Sequence, residues 1–351
     1  MKKKNNDILS CAKPKKDYPN IILAHGGGGK LTQELIKNLF FPNFKNEFLE
    51  PLNDSAILNI ENLKIAFTTD GYVVKPHFFP GSDIGKLSIF GTVNDLAVSG
   101  AKPLYISSSF IIEEGFSMED LEKIIISMKS AAEEAKVLIT TGDTKVVEKG
   151  KGDGIFISTS GVGVLLLDPP PEPKRIKEGD LIILNGDIGR HGMAVLSKRE
   201  GFEVETEIKS DCADLSKIIL KLIEEGIEIH AMRDLTRGGL GTCLIEMAKA
   251  CNLNFLIEEK KIPVKEEVLG FCELLGFDPI YVANEGKFVL FLPEKDSKKA
   301  LEIIKSFEEG KEAEIIGYVE GKRGGNVILE PYKGARRLLS LLSGEQLPRI
   351  C

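Results

Sequence analysis

No stretch of this 351-residue chain approaches the roughly 18 consecutive apolar residues that a membrane-spanning helix needs, which excludes that class of membrane protein. Met1-Lys2-Lys3-Lys4 is followed by polar Asn5, Asn6 and Asp7 where a secretory signal has its apolar core, so the cytoplasm is the expected compartment. The cysteines, at 11, 212, 243, 251, 272 and 351, form no C-x-x-C pair and no regular framework, a pattern that fits a reducing compartment. Positive charge is not in surplus: the net charge is -7 with acids and bases interspersed, which argues against a nucleic-acid-binding surface. The G-x-x-x-x-G-K-[ST] spacing of a P-loop and any short fixed-period repeat are also missing.

What is present suffices for two domains. Apolar residues make up 42% of the chain, so each half can bury a core. Residues 1–20, with Pro14 and Pro19, read as a flexible basic leader. Over residues 21–167, strand-like stretches (56–60, 64–69, 104–112, 137–141, 155–164) mix with helical periodicity at 31–40, 84–99 and 118–136, the last opened by Ser117 with Asp120. Asp168-Pro169-Pro170-Pro171-Glu172-Pro173-Lys174-Arg175 continues neither strand nor helix, so residues 168–175 read as a stiff proline-rich linker at the domain boundary. Residues 176–342 restart with a strand at 181–184, a glycine-punctuated turn at 185–192 and a helix from about Met193. Further helices are expected at 215–225, 239–251, 265–275, 297–308 and 335–342, and strands at 255–258, 286–291, 313–319 and 326–329. Strands and helices mixed in both halves, without strict alternation, predict the α+β class in two domains. Residues 343–351 have too little apolar periodicity to be locked into a core and read as a mobile tail bearing Cys351.

The chemistry is carried by dispersed glycines and acids. His25-Gly26-Gly27-Gly28-Gly29-Lys30 stands before a helix; its amides suit an anion and Lys30 adds a charge, although a flexible hinge accounts for it equally. Asp54 lies in Asn53-Asp54-Ser55-Ala56, and Asp70 is expected to end a strand before Gly71. Asp95, beside Asn94, falls inside a small-residue, largely apolar helix, where a charge is costly unless paired or bound to metal; a solvated helix face is the competing account. Magnesium prefers carboxylate and shared phosphate oxygens, so this set points to a magnesium nucleotide more than to a His/Cys metal site. Thr140-Thr141-Gly142-Asp143-Thr144-Lys145 reads as a turn after a strand, with Lys145 placed to neutralise a phosphoryl group. Arg233-Asp234-Leu235-Thr236-Arg237-Gly238-Gly239-Leu240 repeats that pattern at the opening of a helix, and a plain turn accounts for either segment alone. The terminal Cys351 is a soft nucleophile on a tether of roughly 30 Å reach, or, taken alone, a chance cysteine.

Together, the segments at 25–30, 53–56, 68–71, 94–101, 141–147 and 233–240 and the terminal Pro348-Arg349-Ile350-Cys351 closely resemble the HypE family of hydrogenase maturation factors over nearly the whole chain from about residue 20. The terminal tetrapeptide separates that family from its relatives aminoimidazole ribonucleotide synthetase, selenophosphate synthetase and thiamine-monophosphate kinase, all of which use ATP. The resemblance implies an N-terminal mixed α/β domain that binds ATP and forms an intersubunit barrel with its dimer mate. It further implies a homodimer, an α+β sandwich as C-terminal domain, and an ATP site in the cleft between domains. It implies that a carbamoyltransferase, HypF, loads a carbamoyl group onto Cys351, and that ATP drives dehydration of this S-carboxamide to an S-cyanate. The product then passes to the HypC–HypD iron-carrying complex for cyanide ligand synthesis in nickel-iron hydrogenases.

By motif position, the resemblance makes Asp54, Asp70, Asp95 and Asp234 the ligands of magnesium and nucleotide. It makes Gly26, Gly27, Gly28, Gly29, Lys30, Asn94 and Asp143 cofactor contacts, Lys145 a phosphate or catalytic contact, and Glu285, in Asn284-Glu285-Gly286, a candidate base. Arg233 and Arg237 are secondary candidates for anion contacts. The leader lies outside the shared pattern. Two alternatives stand beside this reading: an ATP-dependent small-molecule kinase or synthetase of the same superfamily, independent of Cys351, and a non-catalytic carrier that hydrolyses no ATP. Cys351 argues against the first and the spread of aspartates against the second.

Overall fold

A computed structural model describes residues 20–51, 53–201, 208–331, 334–342, 347 and 349–351; the leader up to residue 19 and tail residues 343–346 and 348 fall outside the described residues. The first described segment is helical: α1 (Lys30–Leu35), a π turn (Ile36–Phe40) and α2 (Phe41–Phe44), none with a buried residue. The N-terminal domain then builds β1 (Ala56–Ile60), β2 (Leu63–Tyr72), the small hairpin β3 (Phe78–Phe79) and β4 (Ser82–Asp83), α3 (Ile84–Val98), β5 (Ala101–Glu113), α4 (Met118–Ala135), β6 (Leu138–Val147) and β7 (Ile155–Leu165). Its main sheet has the order β1-β2-β7-β5-β6, antiparallel except for the β5–β6 pair.

Local chemistry sets the helix starts. The Asp83 carboxylate accepts from the Gly85 and Lys86 amides at 2.7 and 3.1 Å and so caps α3, and Ser117 Oγ accepts from the Asp120 amide at 3.3 Å to cap α4. α3 is buried nearly all round because it belongs to two cores. Leu87, Phe90 and Val93 pack into the core of its own domain, while Ala97 and Val98 pack against Ile183, Leu215 and Ile219 of the next.

The C-terminal domain adds β8 (Leu181–Leu184), α5 (Arg190–Glu200), α6 (Ser216–Glu224), β9 (Ala231–Asp234), α7 (Gly239–Cys251), β10 (Leu253–Glu258), α8 (Glu266–Leu275), β11 (Phe288–Leu292), α9 (Glu294–Lys305), β12 (Glu314–Arg323), β13 (Val327–Glu330) and β14 (Arg337–Leu338). Its sheet runs β14-β13-β10-β12-β8-β11-β9. One face buries Phe255, Phe291 and Val289 against Leu240 and Leu244 of α7, and the other buries Phe288 and Leu290 against Ile218, Ile219 and Ile304 of α6 and α9.

Several expectations are corrected. The helix expected at 335–342 is absent: Leu338 and Arg337 pair with Ile328 and Leu329, because the open edge of β13 offers this segment a ladder. No turn interrupts 140–145; β6 runs through it, paired parallel to β5 with a register shift that passes over Thr140. Asp70 does not end its strand, since β2 continues to Tyr72. The helix expected from about Met193 begins at Arg190, behind Gly189 at φ 88°, and the strand β9 had no counterpart in the sequence reading.

Gly161 of β7 lets α3 ride close to the sheet: a Cβ there would lie 2.6 Å from Thr92 Cγ2 and 2.9 Å from Leu96 Cδ1. Gly161→Ala should therefore destabilise the protein by about 1–3 kcal/mol, read as a lower urea midpoint at unchanged slope. An unchanged midpoint would mean that α3 has room to move away from the sheet.

Candidate active site

The boundary between the domains gathers acids from four elements. Asp54 precedes β1, Asp70 lies on β2, Asp95 in the last turn of α3 and Asp234 at the end of β9. Asp54, Asp95 and Asp234 each offer a carboxylate oxygen, all within 4.8 Å of one another. Asp70, Asp95 and Asp234 line one cavity of about 370 Å³ together with Tyr72, Arg237, Glu285 and Cys351. Tyr72 donates to Asp70 Oδ2 at 3.3 Å, and Thr68 Oγ1 donates to Asp95 Oδ2 at 2.8 Å.

Positive charge is short here. Arg233 Nε lies 3.1 Å from Asp54 and its Nη1 2.9 Å from Glu246, while Arg237 lines the cavity with Asp70 and Cys351 and its charge acts on both. Burial, reinforced by repulsion from neighbouring aspartates, raises the Asp95 and Asp234 carboxyls well above the usual range. Burial also raises Asp54 and Asp70, against the pull of Arg233 on the one and Arg237 on the other. An all-oxygen donor set with surplus negative charge fits a hard divalent cation such as magnesium; neither histidine nor cysteine belongs to the cluster.

Glu285 completes the acidic wall. It is 4% exposed, its Oε1 has no hydrogen-bond partner, and burial followed by repulsion from Asp234 and Asp211 raises it well above the ordinary value. The Cys351 thiol stands in the same cavity, pushed up to about 12 by burial against the pull of Arg237.

The reading of a tail too polar to enter a core overlooked Ile350, which is 3% exposed and packs with Tyr72, Phe79 and Val195. Around it the Val73 amide donates to Cys351 O at 2.9 Å, the Lys75 amide to Arg349 O at 3.3 Å, and His191 Nε2 meets Ile350 O at 2.8 Å. Arg349 forms an ion pair with Asp153. The described end of the tail is therefore laid along residues 73–75 and held there.

Gly27 and Gly29 line a neighbouring cavity of about 390 Å³ with Arg237, Thr242 and Leu347, and Arg237 is the wall shared with the acidic cavity. Arg237 Nη1 donates to Gly26 O at 2.9 Å, and the Gly28 amide is taken by Thr32 Oγ1 at 3.0 Å. Gly28 has φ +78°, and a Cβ there would lie 3.0 Å from Arg237 Cβ, which explains a glycine at this close approach. Lys30 turns outward and lies 3.8 Å from Glu34.

Of the expected site residues, Asp143, Lys145 and Asn94, like Lys30, do not line the acidic cavity within this chain. Asp143 and Lys145 lie exposed on the edge strand β6, paired with each other at 2.6 Å. Asn94 is buried, and its amide is occupied by backbone groups of the C-terminal domain. Sequence reasoning missed Tyr72, Glu246, Asp211 and His191. Tyr72 was legible from its position two residues beyond Asp70, on the same strand face. Glu246 had no such signal, being placed only by the packing of α7.

Residues 52–165 match the family model described as AIR synthase related protein, N-terminal domain, and residues 177–330 match its C-terminal domain. The chain is 48% identical to the carbamoyl dehydratase HypE of Bradyrhizobium diazoefficiens, over 94% of this chain and 96% of that protein. The chain belongs to the HypE family. Among solved HypE-family structures, that of a HypE-HypF complex matches with a TM-score of 0.83 at 47% identity, covering 88% of this chain and 99% of that one. HypE in complex with ATP matches with a TM-score of 0.80 at 44% identity, covering 95% of this chain and 100% of that one.

The raised carboxyls fix how stability responds to pH. Below the ordinary aspartate value of 3.8 the cluster is protonated whether folded or not; as pH rises past it the unfolded chain ionises freely while the folded cluster resists, so stability falls towards neutral pH. Asp95→Asn should raise the unfolding temperature of the metal-free protein at neutral pH and flatten this fall. Added magnesium should stabilise the wild type more than the variant. A lower unfolding temperature for the variant at neutral pH would show that Asp95 is held by favourable pairing instead.

Proposed function

We propose that this chain dehydrates a carbamoyl group carried on Cys351, converting S-carboxamide to S-cyanate at the expense of ATP, for the cyanide ligands of nickel-iron hydrogenases. The observation that carries this reading is the presence of Cys351 in one cavity with Asp70, Asp95, Asp234 and Glu285. The name carbamoyl dehydratase borne by close relatives, and the ATP complex of a HypE 44% identical to this chain, support it.

The thiol at its docked position, with a pKa of about 12, is protonated at neutral pH and a poor nucleophile, so loading by a HypF-type carbamoyltransferase takes place with the tail withdrawn. On return, the carboxamide oxygen attacks the γ-phosphorus of ATP: an O–P bond forms, ADP leaves, and one N–H proton is released, giving S–C(OPO₃)=NH. Glu285 then takes the remaining N–H proton, the C–O bond breaks with its electrons, and phosphate departs with the oxygen, leaving S–C≡N. Asp54, Asp95 and Asp234, with Asp70 beside them, would hold magnesium, whose charge, when bound, would offset that of the phosphoryl group. Glu285 gives up its own proton most readily when Asp70 and Asp234 are neutralised, since their repulsion is part of what raises it. Gly26, Gly27, Gly29, Lys30, Arg233 and Arg237 are the proposed anion contacts, with the Gly28 amide already engaged within the loop.

Asp143 and Lys145 serve a nucleotide in this scheme only across a subunit boundary. β6 is an open edge with Leu138 64% and Val146 68% exposed, a surface that favours pairing with a second sheet and supports the proposed homodimeric intersubunit barrel. A HypC–HypD complex is the proposed acceptor of the product. Among the described residues no helix is long and apolar enough to cross a membrane, and a cytoplasmic setting is proposed.

The test is the mass of the intact chain. Carbamoylated protein given magnesium and ATP should lose one water per chain, with the change mapped to Cys351. Cys351→Ser should bind ATP and undergo no change, and modification of another cysteine would refute the tethered mechanism. Glu285→Gln should accept the carbamoyl group and accumulate the carboxamide; normal cyanate formation would move the role of base elsewhere. Lys145→Ala should lose turnover by at least about 10-fold with little loss of ATP affinity, whereas equal losses in both would make Lys145 a ground-state contact.

A further inference from the structure

The loop that delivers Glu285, residues 282–287, is buried at every position and has no regular structure, so its peptide groups need partners from elsewhere. Three buried asparagines supply them. Asn284 accepts from the Gly189 amide at 2.7 Å and donates to Leu235 O and Val282 O, both at 3.1 Å. Asn185 accepts from the Phe288 amide at 2.8 Å and donates to Gly286 O at 3.2 Å and Glu309 O at 3.3 Å. Both act within the C-terminal domain. Asn94 comes from the other domain: it accepts from the Leu215 amide at 2.9 Å and donates to Ala213 O at 3.0 Å and Glu285 O at 3.4 Å.

Those partners are the segments that grip the Glu285 peptide. The Glu285 amide donates to Asp211 Oδ1 at 3.3 Å, and the Ala213 amide donates to Glu285 O at 3.4 Å. The contact is tight enough that a Cβ on Gly286 would lie 1.9 Å from Asp211 O. Asn94 precedes Asp95 in α3, so one turn of helix carries both a carboxylate of the cluster and the amide that ties down the loop of the base.

We propose that Asn94 is a positioning residue, not a nucleotide contact: it locks the Glu285 loop and the 211–215 segment to α3, fixing the Glu285 carboxyl relative to Asp95 and the acidic cluster. The proposal rests on the dehydratase reading for its kinetic consequences alone. Both amide hydrogens are already engaged by protein, which leaves Asn94 no donor for a ligand. Its loss leaves the Ala213 carbonyl and the Leu215 amide to find other partners and Glu285 O with the Ala213 amide alone, and a displacement of about 1 Å at a reacting group costs up to roughly 100-fold in rate.

The full-length Asn94→Ala protein tests this. In the absence of ligand, amide exchange at Leu215 and Glu285 should accelerate relative to α7; unchanged exchange overturns the proposal whatever the activity of the protein. With the carbamoylated chain, ATP affinity should stay within about twofold of wild type while the single-turnover rate of cyanate formation at saturating ATP falls by about 10- to 100-fold. The Asn94→Ala/Glu285→Gln double variant should be no slower than Glu285→Gln alone, since both act through one carboxyl. Weakened ATP affinity with an unchanged saturating rate would restore the nucleotide-contact role. Multiplicative losses in the double variant, or a lower unfolding temperature with the rate intact, also overturn the proposal. If Asn94→Ala does not fold, Asn94→Ser, which keeps one hydroxyl, is read by the same measurements. A wild-type chain that forms no cyanate refutes the dehydratase reading and leaves the exchange result to decide the role of Asn94.

Discussion

Five carboxyl groups, those of Asp54, Asp70, Asp95, Asp234 and Glu285, are withdrawn from water at one place with Arg233 and Arg237 as the facing cations. Such a cluster repels itself, and at low effective dielectric the repulsion is not screened away. The rest of the architecture holds it together. The helix that carries Asp95 is shared by the cores of both domains, so neither domain can drift without dragging that carboxylate along. β9 holds Asp234 opposite Phe288 at the start of β11, so the segment that follows Asp234 and the loop that carries Glu285 leave neighbouring strands at the same end. The strain of the unliganded site and its readiness for a cation are two aspects of the same arrangement.

Much of this was legible in the sequence because the relevant signals are local. Strand-like stretches located β1, β5 and β7, the Ser117 cap located α4, and an aspartate in an apolar helix marked Asp95 as unusual before any contact was visible. The failures have a common cause in tertiary pairing. Residues 335–342 have helical periodicity, but a vacant strand edge captured Arg337 and Leu338. Thr140 to Lys145 looks like a turn, but parallel pairing with β5 stretched it into a strand. Asn94 was expected to contact the cofactor by its motif position in the resemblance; its amide bonds backbone of the C-terminal domain, and no sequence signal distinguishes an amide that faces a ligand from one bonded to a distant backbone.

Arg237 deserves its place beside the acids as the part that joins two halves of the site. It bonds the Gly26 carbonyl on one side and lines the cavity of Asp70 and Cys351 on the other. The glycine run and the thiol are thereby linked through a single guanidinium, whose planar, permanently charged group can face an anion from either cavity. A substitution by lysine would keep the charge and lose that two-sided reach.

The docked tail has a further meaning for the life of the protein between turnovers. The thiolate is the form of sulfur that attacks peroxides, disulfides and other electrophiles, and burial that pushes the Cys351 thiol up to about 12 leaves almost none at neutral pH. With Ile350 seated in the core and the backbone of Arg349 and Cys351 bonded to residues 73–75, the chain stores its reactive sulfur in a chemically silent form. Oxidation of that sulfur therefore requires the described end of the tail to leave residues 73–75, so the seat of Ile350 in the core also governs how exposed Cys351 is to oxidants.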